Sequence, residues 1–183
     1  EMPEVKAGKW SFRQLFVNGE KQNRARIPNE GFLRPERFPE NDTARVWGTG
    51  FKSKSFGFRP GEFRPDWKNI DDVEVIVYSF WNDNHLRIKS IDTKTNIVTF
   101  TQTLGLGFTD DFEKRGARYI IENVFEAIDR PGEWYLDKKK GIIYYFAKPG
   151  EDPNKAEVIA PYSPALLYIW AGSQSKTPQN SVS

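Results

Sequence analysis

Two carboxylate doublets, Asp71-Asp72 and Asp110-Asp111, are the first residues in this chain that can do chemistry. A pair of carboxylates divides into acid and base when its surroundings drive the two pKa values apart. Neighbouring residues of a strand point to opposite faces, so neither doublet makes a dyad by itself. Turns flanking strands account for both doublets. Asp110, Asp111 and Glu113 also cluster enough oxygen for a calcium ion, although their spacing matches no EF-hand loop. His85 is the single histidine and lies in Asn82-Asp-Asn-His85, which reads as an exposed turn between strands. A catalytic base there needs a nucleophile and an orienting group, and the sequence offers neither. Cysteine is absent, which excludes disulfides, thiolate metal sites and a cysteine nucleophile. No P-loop, no G-x-G-x-x-G after a strand and no G-x-S-x-G occurs, and no cofactor is expected.

Aromatic residues make a different chemistry available. A pyranose presents apolar C–H groups to a flat ring, and nearby Asp, Asn, Arg or Glu collect its hydroxyls. Of the six tryptophans, Trp47 and Trp67 lie in a long loop beside Arg45, Asp66 and Lys68. Trp47, Trp67, Arg45 and Asp66 are therefore the carbohydrate-binding candidates, weighed against ordinary loop packing. Trp81 and Trp134 fall on apolar strand faces and are expected in the core. Basic and aromatic residues interleave over 51–68, as on a single-stranded nucleic-acid surface. The net charge of +2 leaves no footprint for such a partner, so none is expected. Charge is uneven all the same: Lys9 to Lys68 holds 13 basic and 7 acidic side chains. No run approaches the ~20 apolar residues of a membrane-spanning helix.

The elements that must carry these residues are short. Fourteen glycines and twelve prolines punctuate 183 residues, which favours strands over helices. Phe12–Val17 and Arg24–Ile27 read as strands around an Asn18-Gly19 turn. Val73–Trp81 is apolar on both faces and is expected to be central and covered. Leu86–Ile91 and Ile97–Thr103 form a hairpin with Asn96 at a positive-φ position. Ala117–Glu122 is a further strand. Asn123-Val-Phe-Glu126 has capping-box spacing and predicts a short helix over 124–128. Glu133–Asp137 and Ile142–Phe146 form a second hairpin around Lys138-Lys-Lys-Gly141, and Ala156–Ala160 is the last strand. The sum is an all-β fold, an antiparallel β-barrel or β-sandwich of about eight or nine short strands with one short helix.

Three segments together resemble a known domain: Phe12-Arg-Gln-Leu-Phe-Val-Asn-Gly-Glu20 with Arg24-Ala-Arg-Ile-Pro-Asn29, then Gly132-Glu-Trp-Tyr-Leu-Asp137, then Gly141-Ile-Ile-Tyr-Tyr145 through Pro149-Gly-Glu-Asp-Pro153 to Val158-Ile-Ala-Pro161. In this order they resemble the β-barrel or β-sandwich domain inserted into right-handed parallel β-helix proteins of carbohydrate metabolism. The comparison is with glycoside hydrolase family 141-like proteins, and a related barrel occurs in the family 110 α-galactosidases. The resemblance spans residues 3 to 170, while the loop from Phe32 to Trp67 matches no motif of that domain. It implies a secreted or periplasmic bacterial parent that degrades polysaccharide, with its catalytic carboxylates on the β-helix coils. No catalytic residue is therefore carried over to this chain.

The expectation is a single domain over 1–170, followed by a polar tail over 171–183 that leads back to a parent β-helix near Leu166–Ile169. Its expected role is that of a non-catalytic accessory domain, partnered by that β-helix and by glycan, shaping one wall of a glycan cleft. A self-sufficient carbohydrate-binding module and a hydrolase with a carboxylate dyad are the alternatives.

Overall fold

Turn chemistry sets the strand boundaries. In the computed structural model, which describes residues 1–38, 53–104, 108 and 116–162, Asn18 and Asn96 take φ of 51° and close tight turns. Asparagine tolerates this left-handed region because its short polar side chain bonds locally. Between such turns run eleven short strands among the described residues. They are β1 (Leu15–Val17), β2 (Glu20–Arg24), β3 (Arg26–Ile27), β4 (Ser53–Gly57), β5 (Glu74–Ser79), β6 (Asn82–Asp92), β7 (Ile97–Leu104), β8 (Arg118–Glu122), β9 (Glu133–Asp137), β10 (Ile142–Tyr145) and β11 (Val158–Ile159). One four-residue helix, α1 (Pro3–Lys6), precedes them. The fold is all-β.

The strands make two sheets, ordered β10-β9-β2-β1-β11 and β3-β8-β5-β6-β7-β4. Every pairing is antiparallel except β2 with β9, which run parallel. The chain crosses from one sheet to the other at Ala25. Its N–H donates to the Trp134 carbonyl in the first sheet, and its carbonyl accepts from Asn123 N–H beyond β8 in the second. The return strand expected over Arg24–Ile27 is therefore split between two sheets.

Each sheet carries its own apolar cluster. The six-stranded sheet gathers Phe56, Val75, Val77, Leu86, Val98, Phe100, Tyr119 and Ile121 with Phe58, Phe63, Trp67 and Phe108. The five-stranded sheet packs Leu15, Val17, Trp134 and Leu136 against Phe12 and Val5. β5 is central, as its sequence implies: Val73, Val75 and Val77 face the large cluster, and Glu74 and Ile76 on the opposite face are buried as well. Burying each such valine contributes about 1.5–3 kcal/mol.

Three local expectations are corrected. Residues 125–127 form a single 3-10 turn, because Asn123 takes φ of 59° and its side chain does not cap the turn. Trp81 is not core: it sits at the apex of the tight β5–β6 hairpin and is 74% exposed. His85 is not in a turn. It is inside β6, opposite Ile76, because the turn is made earlier, by Phe80 and Trp81.

Candidate functional site

Two polar constellations stand out, one sealed and one open. The sealed one lies where the sheets meet. Strand alternation sends Glu74 of β5 away from the valine face, where its carboxylate, 2% exposed, meets five basic side chains. Arg13 Nε is 2.7 Å from Oε2, His85 Nδ1 3.2 Å and Arg24 Nη1 3.4 Å. Arg87 Nη2 is 3.0 Å from Oε1 and Lys138 Nζ 3.7 Å. An ionised carboxylate only accepts hydrogen bonds, so the His85 proton lies on Nδ1. Burial alone raises a carboxylate pKa. Here the hydrogen bonds from His85 and Arg13 and the charges of Arg24 and Arg87 outweigh it and hold Glu74 far below the usual range. Burial, with Arg87 nearby, pushes the Lys138 ammonium down. Burial raises the Asp72 carboxyl, which nonetheless accepts the Lys138 backbone N–H at 3.0 Å.

Asn123, fully buried, ties this node together. Its Oδ1 accepts from Leu136 N–H at 2.9 Å and from Arg24 Nε at 3.3 Å. Its Nδ2 donates to the carbonyls of Leu136 and Asp72 at 3.0 and 3.2 Å. One amide thus joins β9, the end of β2 and the 3-10 turn Ile70–Asp72.

The open constellation lies on the other face of the β9–β10 hairpin. Alternation gives Trp134, Leu136, Ile143 and Tyr145 to the small core. It leaves Tyr135, Asp137 and Tyr144 on the opposite face, with Tyr144 paired across from Tyr135. The hairpin turn depends on Gly141, at φ 67°, where a Cβ would stand 2.5 Å from the Met2 carbonyl oxygen. Asn69, at φ 50°, and Lys68 close one side of the depression, and Phe125 closes another. These residues with Lys140 line a pocket of ≈ 270 Å³. Phe125 and Tyr144 are shared with a second depression of ≈ 370 Å³, bordered by Ile128, Tyr145 and Phe146.

The pocket groups have defined roles. Phe125 and Tyr144 meet edge to face at 86°, forming a corner. Lys68 Nζ lies 4.4 Å from the Phe125 ring centre, held there in part because Lys68 N–H donates to Glu126. Asn69 Nδ2 donates to the Tyr135 hydroxyl at 3.0 Å. Burial raises the Tyr135 pKa, so the phenol keeps its proton and remains a donor. Asp137 accepts from Lys140 N–H, and Lys140 Nζ is 3.5 Å from its carboxylate. Polar donors, one carboxylate and ring faces at a half-open pocket are what a sugar requires.

The residues singled out from sequence lie elsewhere. Trp67 is 5% exposed and packs on Phe63, so its ring is part of the large core. Asp66 is at the surface, paired with Arg64. Arg45 and Trp47 lie outside the described residues, as do Asp110, Asp111 and Glu113. Among the described residues no group of three or more His, Cys, Asp or Glu is placed to hold a metal. No helix there is long and apolar enough to cross a membrane. Sequence reasoning missed Tyr135 and Tyr144, although the β9–β10 alternation already separates them from Trp134 and Tyr145.

No protein-family model matches the chain, and neither does any curated protein. Among solved structures, a chain described as a glycoside hydrolase shares the fold, with a TM-score of 0.62 at 22% identity. The match covers 83% of this chain and 27% of that one, so this chain spans about a quarter of the length of the protein it resembles.

Proposed function

We propose that this chain is an accessory, non-catalytic β domain of a larger carbohydrate-active protein, where it packs on a β-helix and helps shape a glycan cleft. The observation that supports this is the fold shared with a segment amounting to 27% of a glycoside hydrolase. A segment of that size fits a domain whose chemistry belongs to neighbouring sequence. On this reading residues 1–170 are the domain and the residues after them rejoin the parent, which works outside the cytoplasm, in the periplasm or beyond it. Arg45 and Trp47 remain candidates for the cleft wall.

The test compares two proteins: the 183-residue chain alone, and the product of the complete open reading frame that encodes it. The longer protein is expected to release reducing sugar from a polysaccharide panel, and the chain alone to release none. Hydrolysis by the isolated chain overturns the reading, and so does an open reading frame that encodes nothing further. A second reading, an autonomous carbohydrate-binding module, is favoured by the aromatic pocket on β9–β10.

A further inference from the structure

We propose that the pocket formed by Lys68, Asn69, Phe125, Tyr135, Lys140 and Tyr144 binds an anionic pyranose, a glycan residue bearing a carboxylate or a sulfate. The proposal deepens the carbohydrate reading above by naming the site and the class of sugar.

Size and shape come first. The pocket holds ≈ 270 Å³, near the lower end of small-ligand sites at about 300 Å³, and it admits one ring rather than a chain. The chain of a longer glycan has a way out, since Phe125 and Tyr144 continue into the second depression toward Ile128 and Phe146. The Phe125–Tyr144 corner offers the Tyr144 ring as a floor on which C–H groups stack.

Unspent hydrogen-bonding capacity comes second. The Tyr135 hydroxyl accepts from Asn69, and among the described residues its own proton has no acceptor. That hydroxyl belongs to a residue 1% exposed that nonetheless lines the pocket. A sugar oxygen entering the pocket supplies the missing acceptor.

Charge decides between a neutral and an acidic sugar. Two ammonium groups and one carboxylate line the pocket. Lys140 is matched by Asp137 at 3.5 Å. Lys68 has no ion-pair partner among the described residues, and its Nζ lies 4.4 Å from the Phe125 ring centre. The Glu126 carboxylate, which accepts the Lys68 N–H, is outside the pocket lining. Counting the side chains that do line the pocket, one positive charge is in excess beside the stacking floor. A carboxylate or sulfate on the ring satisfies it through a charge-assisted hydrogen bond.

Calorimetric titration of the 183-residue chain tests this with four oligosaccharides: trigalacturonate, its full methyl ester, a 4-sulfated κ-carrageenan tetrasaccharide and galactotriose. At least one acidic oligosaccharide is expected to bind roughly tenfold or more tightly than the neutral pair, with affinity falling as salt rises. Binding by trigalacturonate alone assigns the anion as carboxylate, and binding by the carrageenan fragment alone assigns it as sulfate. K68Q, at an exposed position that leaves the fold intact, is expected to remove most of that preference. Y144A, with circular dichroism confirming its fold, is expected to abolish binding. Binding of both acidic oligosaccharides no tighter than that of the neutral pair, an acid preference that survives K68Q, or no binding by any of the four overturns the proposal. Each of these outcomes leaves the accessory-domain reading to its own hydrolysis test.

Discussion

The buried node around Glu74 and the pocket on β9–β10 are built from similar materials and do opposite things. Both combine lysine, carboxylate and a side-chain amide. In the node the groups are spent on one another: Glu74 meets five basic side chains, and Asn123 makes four hydrogen bonds. Only Arg24 Nη2 is buried there without an acceptor among the described residues. In the pocket Lys68, at the surface, and the proton of the buried Tyr135 hydroxyl are left over. A closed set of charges fixes geometry, whereas an open set with surplus donors can hold a ligand. Whether the groups are all spent on one another, rather than residue type, separates the two.

The contrast breaks most visibly at Glu74. Replacing it with leucine strands its basic partners in a buried site, and the expected loss is about 3–5 kcal/mol in urea unfolding. A loss under about 1 kcal/mol would mean that the node is solvated and does not join the sheets. Asn123→Ala comes next. It takes the partner from Leu136 N–H and one from the Leu136 carbonyl in the interior, while the Asp72 carbonyl keeps Arg87, for about 2–3 kcal/mol by the same measurement.

Acid titration sharpens the same comparison. Glu74 has a folded pKa far below its ordinary value of 4.5. Its contribution is therefore complete above about pH 4.5 and drains away as pH falls from there toward the folded value. Urea midpoints measured between pH 7 and pH 3 should decline below about 4.5, and E74Q should flatten that decline. An unchanged slope in E74Q would assign the acid sensitivity to other carboxylates.

The smallest effects belong to the open surface. Trp81→Ala, at the exposed hairpin apex, should change stability by no more than about 0.5 kcal/mol. A loss of 2 kcal/mol or more, on the scale of a core aromatic, would show that the indole is covered in solution.

Much of the fold is legible in the chain. The β6–β7 and β9–β10 hairpins follow from Asn96, from Gly141 and from alternation between them, and β5 announces itself by apolar residues on both faces. The short helix is not legible: Asn123-Val-Phe-Glu126 has capping-box spacing, yet Asn123 is claimed by Leu136, Asp72 and Arg24 from distant elements. Trp67 misled because aromatic residues in a polar loop serve equally as binding faces or as buried anchors. Tertiary packing made this one an anchor on Phe63.

The order of residues by itself determined an all-β chain of short strands, its tight turns and the sides on which Trp134 and Tyr135 must part. These follow from backbone sterics and a two-residue repeat, which are local. Only the tertiary structure decided that Glu74 would be enclosed by five basic side chains from four separate segments, and that Lys68 would come to rest beside a ring nearly sixty positions away. Contacts of that span depend on how two sheets meet at Ala25, and no local pattern encodes that meeting.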